Sequence, residues 1–209
     1  MEKVEIKGDS VPQEIVDMLG QEVGPDLFRE YDFNISTKDR TIYLRDEIDI
    51  FTPTFLKKRI NLIAGLTDDD KTPITIEVSS YGGDVYGAMG SVDIIRSAPM
   101  KINVTGIGVI MSAASFILVS GTGTRAITEN SHIMIHDING WIKGNSKDII
   151  SESAQMKKLQ DKCHIIYAKY TKHPVSYWKE KTKSNLYLNA RQAFKAGMID
   201  KVQKTWKIN

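Results

Sequence analysis

Between residues 41 and 138, short apolar runs rich in β-branched residues alternate with segments of helical spacing. TIYL (41–44), ITIEV (74–78), KINVTGIGV (101–109) and RAITENSHIMIHDI (125–138) read as strands. Phe55, Leu56, Ile60, Ile63 and Ala64 share one helix face, as do Val85, Met89, Val92 and Ile95. SAASFILVSG (112–121) is a short apolar helix expected to close at Gly121. Strands that alternate with helices pair in parallel, because each helix carries the chain back across the sheet. The expected class is therefore α/β.

The boundaries carry their own signals. Thr52-Pro53 offers an N-cap followed by proline at the first helical position. Gly82-Gly83 opens the second helix, which ends before Pro99, and the acidic turn LTDDDKTP (66–73) precedes the second strand. A long polar helix is expected over about 146–172, where Met156, Leu159, Cys163, Ile166 and Tyr170 form a narrow apolar seam. Such a seam packs either on a partner helix or on its own domain. His173-Pro174 ends that helix, and a helix at 189–196 with a strand near 199–202 completes the chain. Residues 1–40 mix polar residues, glycine and proline and read as an irregular arm, with one amphipathic stretch at 15–19.

At 209 residues there is room for one sizeable core. Lys+Arg of 28 against Asp+Glu of 26 leaves a formal charge of +2, which argues against nucleic-acid binding. The lysines near the C-terminus read as a solvated face. Cys163 is the single cysteine, so no intrachain disulfide forms, and its helical apolar setting favours packing over nucleophilic chemistry. MEKVEIKGDS lacks a basic-then-apolar signal pattern and no apolar run approaches about 18 residues, so a cytoplasmic protein without a membrane span is expected.

Three stretches carry chemistry. In YGGDVYG a strand runs through two glycines into a helix, which suits either an anion or oxyanion site or simply a tight turn. The spacing GGxxxG is not GxGxxG and no GxxxxGK[ST] occurs, so nucleotide binding gains no support. Ser112 opens a helix directly after a strand, either as an ordinary N-cap or as a nucleophile with the Ala113 N–H beside it. Ser115, three residues on, reads as packing. In HIMIH, His132 and His136 would share a strand face with Met134, but a convincing third metal ligand is missing, and either histidine would serve as a base.

RTIYLRDEID, VSSYGGDVYGAMGSVDII, TGIGVIMSAASFILVSG, NSHIMIHDINGWIKG and YLNARQAFKAGMID together resemble, in order, the proteolytic subunit of Clp protease, the ClpP family. The resemblance covers about residues 31–203, leaving an N-terminal arm (1–30) that matches poorly and a tail (204–209). It implies a crotonase-like α/β fold with stacked β-sheet units flanked by helices and a protruding handle helix, the handle spanning about 138–172. It also implies a serine endopeptidase that needs no cofactor or metal, in seven-membered rings, two of them stacked around a chamber. Partners would be copies of itself, an ATP-driven AAA+ unfoldase and unfolded polypeptide substrates.

Carried over by position, Ser112 matches the nucleophile and His136 the base, which demotes His132. Gly83 and Ala113 match the oxyanion donors, and Gly140 and Gly144 the glycine-bearing handle segment beside bound peptide. The handle match favours the partner-helix reading of the seam. The triad acid departs from the pattern: counting back two from Tyr187 gives Asn185. An asparagine oxygen can accept Nδ1–H and fix the tautomer but supplies no full charge. Asp137 and Asp148 are the other acids near the site. Tyr81 and Ile138 stand where the family usually has proline, and the GTGTR turn is one residue shorter.

The expected function is hydrolysis of peptide bonds in unfolded proteins or peptides. The alternatives are a catalytically weakened ring component that serves assembly or docking, a viral maturation protease of the same fold, and acyl-CoA thioester chemistry in the same oxyanion site.

Overall fold

The computed structural model describes residues 33–66 and 72–204. The N-terminal arm, its stretch at 15–19, most of the acidic turn and residues 205–209 lie outside them. The described residues form one mixed sheet flanked by helices. Strands β1 (Ile35–Ser36), β2 (Thr41–Leu44), β3 (Ile74–Ser80), β4 (Ile102–Met111), β5 (Arg125–Thr128) and β8 (Lys201–Gln203) follow one another across the sheet. β1 joins antiparallel and the others pair in parallel. The α/β expectation is met.

Helices α1 (Thr52–Gly65), α2 (Val85–Ser97) and α3 (Ala113–Ser120) connect the parallel strands. Alternation along β3 explains why it lies at the centre: Ile74, Ile76 and Val78 point to one face and are fully buried. α3 is buried at every residue, so it has no polar face to show and forms the middle of the core.

Two caps differ from expectation. Phe51, not Thr52, is the N-cap of α1; Asp49 Oδ1 instead accepts from the Phe51 and Thr52 N–H groups at 2.9 and 2.8 Å. Gly121 does cap α3 but with φ −47°, outside the left-handed region. Its smallness matters for space, since a Cβ there would meet Arg125 Cγ at 3.0 Å.

The feature that builds the site is a fork in the sheet. β4 is ten residues long; Val104–Gly106 pairs with β5, while Val109–Met111 pairs with β6 (His132–Ile135) on the same edge. The expected single strand over 125–138 is thus two, broken by a turn. Ser131 pins the break: its Oγ lies 2.6 Å from Thr128 Oγ1 and accepts from the Gly108 N–H at 2.8 Å. Gly108 has φ +70°, a conformation that glycine adopts without strain. β7 (Leu186–Asn189), which the sequence pattern did not reveal, then adds antiparallel to β6.

The long helix α4 (Ser146–Tyr170) starts at Asn145, whose side chain caps Lys147 and Asp148. Cys163 and Ile166 of the seam belong to the core, Leu159 is buried, and Met156 and Tyr170 are half-buried. From Leu159 onward the seam faces its own domain, which corrects the partner-helix reading for these residues. The first turns instead stand exposed, with Ile149 and Ile150 in water. Pro174 does not merely end α4; it is the N-cap of a further short helix, α5 (Val175–Lys181). α6 (Ala190–Ala196) follows β7, with a capping box between Asn189 and Gln192. No helix among the described residues is long and apolar enough to cross a membrane.

Candidate active site

The fork brings the ends of β4 and β6 together. β4 and β6 run in parallel with Met111 opposite Met134, and the ladder continues one step as Ser112 N–H donates to Met134 O at 2.8 Å. His136 follows two residues after Met134, just beyond β6, and its Nε2 lies 2.8 Å from Ser112 Oγ.

Ser112 itself sits in an uncommon backbone state, φ +50° and ψ −123°, at the N-cap position of α3. Such a conformation in a residue other than glycine costs about 1–3 kcal/mol and persists only where its surroundings impose it. Here the Ser112 carbonyl accepts from Ser115 N–H at 3.0 Å and from Ser115 Oγ at 2.6 Å. The Ser115 hydroxyl has one proton, already given to that carbonyl, so Tyr167 OH at 2.6 Å must donate to it. Burial pushes the Tyr167 phenol well above its ordinary range, which keeps it protonated for this task. The Ser112 side chain makes no capping bond. Its hydroxyl is left for the histidine.

Gly82 and Gly83 bring β3 against this turn. Gly82 has φ +103°, and a Cβ there would lie 2.6–2.8 Å from Met111 O, Ser112 Cβ and Ala113 N. Gly83 has φ +142°, and a Cβ there would strike Ile48 O at 2.2 Å. Both positions require glycine. Bonds from Ile48 N–H to Gly82 O (2.8 Å) and Asp84 N–H to Ile48 O (2.6 Å) fix the strip. The N–H groups of Gly83 and Ala113 have no acceptor among the described residues, and both residues line a cavity of about 150 Å³ shared with Ser112 and His136. Val85, Phe116, Ile138 and Cys163 supply its apolar wall.

Asn185 lies one step past the ladder pair Ile135–Leu186, beside His136 in register. It is exposed, and no hydrogen bond joins its amide to the imidazole. Asp137 does not turn to His136; its Oδ1 accepts from Thr182 Oγ1 at 2.8 Å and lies 3.6 Å from His164 Nε2. Asp148 accepts from Asn145 Nδ2 at 2.7 Å at the start of α4. His132 is exposed, with Nδ1 3.3 Å from Asn130 O, and His173 stacks on Tyr177. Gly140 and Gly144 lie in the exposed segment between His136 and α4 and do not line the cavity. Cys163 is 3% exposed, and burial with the nearby Asp137 charge pushes its thiol up to about 12, so it stays a neutral wall residue.

A model of the family described as Clp protease matches residues 29–205. The chain belongs to the Clp protease family. Clp proteases are serine peptidases, and the family generally forms oligomeric rings that work with unfoldases. The sequence reading missed Ser115 and Tyr167 as supports of the serine. The spacing of three between Ser112 and Ser115 was the visible signal, since it puts a hydroxyl one helical turn from the Ser112 carbonyl. Nothing local marked Tyr167, which reaches the site from 52 residues away.

Proposed function

We propose that this chain is a Clp-type serine endopeptidase subunit, with Ser112 as nucleophile and His136 as general base. The observation that carries the reading is the 2.8 Å approach of Ser112 Oγ to His136 Nε2, from a serine whose strained backbone leaves its hydroxyl uncapped. With the proton on Nδ1, Nε2 takes the hydroxyl proton as Oγ attacks the scissile carbonyl. The Gly83 and Ala113 N–H groups receive the oxyanion, a role for which their lack of internal acceptors suits them. The imidazolium then protonates the leaving amine, and water, deprotonated by the same histidine, releases the acyl group. Val85 and Phe116 give the adjoining cavity an apolar wall for a substrate side chain. The Gly140–Gly144 segment would run beside bound polypeptide. A closed ring chamber, an AAA+ unfoldase partner and a cytoplasmic setting belong to the same reading.

The test is a fluorophosphonate probe applied to the assembled protein. Labelling that disappears in Ser112→Ala supports the reading, and absence of labelling in the wild type overturns it. Asn185 favours a second reading, a ring component with weakened catalysis that lends surfaces to an active partner. An exposed amide with no bond to His136 leaves the developing imidazolium without a counter-charge.

A further inference from the structure

Directly behind His136 lies a polar cluster that the proposed chemistry does not use. Ile138 N–H donates to Gln160 Oε1 at 2.6 Å, so the other end of that amide, its NH₂, faces His164 Nε2 at 2.9 Å. Thr182 Oγ1 lies 2.9 Å from the same Nε2 and 2.8 Å from Asp137 Oδ1. His164 is 4% exposed and its Nδ1 has no partner. Asp137 and Ile138 are the two residues that follow His136, and both line the cavity.

We propose that Gln160, His164 and Thr182 are positioning residues that hold the Asp137–Ile138 segment, and through it the His136 ring, within reach of Ser112. The proposal rests on the peptidase reading of that pair.

The donor count makes the cluster two-state. With His164 neutral and its proton on Nδ1, the tautomer that a Gln160 NH₂ facing Nε2 requires, the Nε2 lone pair accepts from that amide, and Gln160 Oε1 is thereby kept on Ile138 N–H. A proton on Nε2 reverses the direction. Nε2–H then donates to Thr182 Oγ1, whose own proton is shared between Asp137 Oδ1 at 2.8 Å and Trp178 O at 2.9 Å, and two donors oppose each other where Gln160 meets His164. The amide has to leave or turn over, and either way Ile138 N–H loses its acceptor. The charged groups around His164 are Asp137 after β6, Asp161 on α4 and Lys179 on α5, the last two joined in an ion pair of 2.6 Å. Burial holds the His164 imidazole below its ordinary value against the opposing pull of Asp137, so the neutral arrangement is the one present at neutral pH.

The experiment measures fluorophosphonate labelling of Ser112 from pH 5 to 9 in the assembled wild type and in His164→Asn. At pH 8 the wild type should label about 3- to 10-fold faster than His164→Asn. As pH falls toward 5 and His164 takes up its proton, that ratio should shrink toward 1. A ratio that stays the same from pH 8 to pH 5 overturns the proposal, even if the variant melts at a lower temperature. Crystals of the wild type at pH 5 and pH 8 give a second arm that needs no activity. Loss of the Ile138–Gln160 bond at pH 5 supports the proposal, and an intact bond at both values overturns it. Wild-type protein that labels at no pH defeats the peptidase reading, while the crystal arm still decides the positioning.

Discussion

Ser112 and Asn185 are the two ends of the proposed triad, and the fold treats them differently. The Ser112 N–H and carbonyl are both bonded, the carbonyl twice, with Tyr167 of a distant helix behind the second bond. Asn185 stands at the open end of a four-residue strand, exposed, with a free-standing amide among the described residues. Strain at the serine is stable because several elements share in holding it. The acid position has no such support, so a change there costs the fold little. The geometry of the proposed nucleophile is a property of the core, whereas that of Asn185 is a property of an edge.

Substitutions at these positions separate the two behaviours. Largest is the contrast between the base and the acid position. His136→Ala should lower kcat by about 10³- to 10⁴-fold, whereas Asn185→Ala should change it by less than about threefold. A large loss in Asn185→Ala would show that the amide reaches the ring in the assembled enzyme. Asn185→Asp should raise kcat by about 10-fold or more, with KM nearly constant, by supplying the counter-charge. Peptide hydrolysis assays on all three variants give these numbers.

Next comes the support of the serine. Ser115→Ala removes a donor to the Ser112 carbonyl and leaves the buried Tyr167 hydroxyl without its acceptor. Chemical denaturation should report a loss of about 1–3 kcal/mol, accompanied by a lower labelling rate. A stable variant that labels at the wild-type rate would show that the backbone turn holds without the hydroxyl.

Smallest is a dependence of stability on pH. His164 binds its proton less readily in the folded protein than in the unfolded chain, where its value is about 6.5. The unfolded state therefore takes up more protons on acidification, and stability present above pH 6.5 declines as pH falls through that value. His164→Asn should flatten this part of the profile in thermal melts.

Much of the fold could be read from the chain because its signals are local. The β-branched runs of ITIEV and KINVTGIGV and the helical spacing that ends at Ser97 each sit within one element. What escaped depends on contacts between elements. β7 is four residues long, half exposed, and becomes a strand by pairing with β6. The fork of β4 depends on Gly108 meeting Ser131, which no window of sequence contains. α5 was hidden because proline stops one helix and starts another with the same residue type. At the candidate site, the pairing of Ser112 with His136 was expected from a family resemblance rather than from spacing, and the two side chains do meet. The Gln160–His164–Thr182 cluster was not expected, since its members pack face to face only after α4 and α5 have docked.

Trp141 stands fully in water on the segment between His136 and α4, while Trp178 is fully buried beneath Tyr167 and Tyr177. The chain thus carries a native optical probe on the very strip where subunits and substrates would meet. Covering that strip should move the emission of Trp141 toward the blue and shield it from iodide, and Trp141→Phe separates this signal from those of Trp178 and Trp206. Assembly and peptide occupancy would then be readable as the difference between the two proteins.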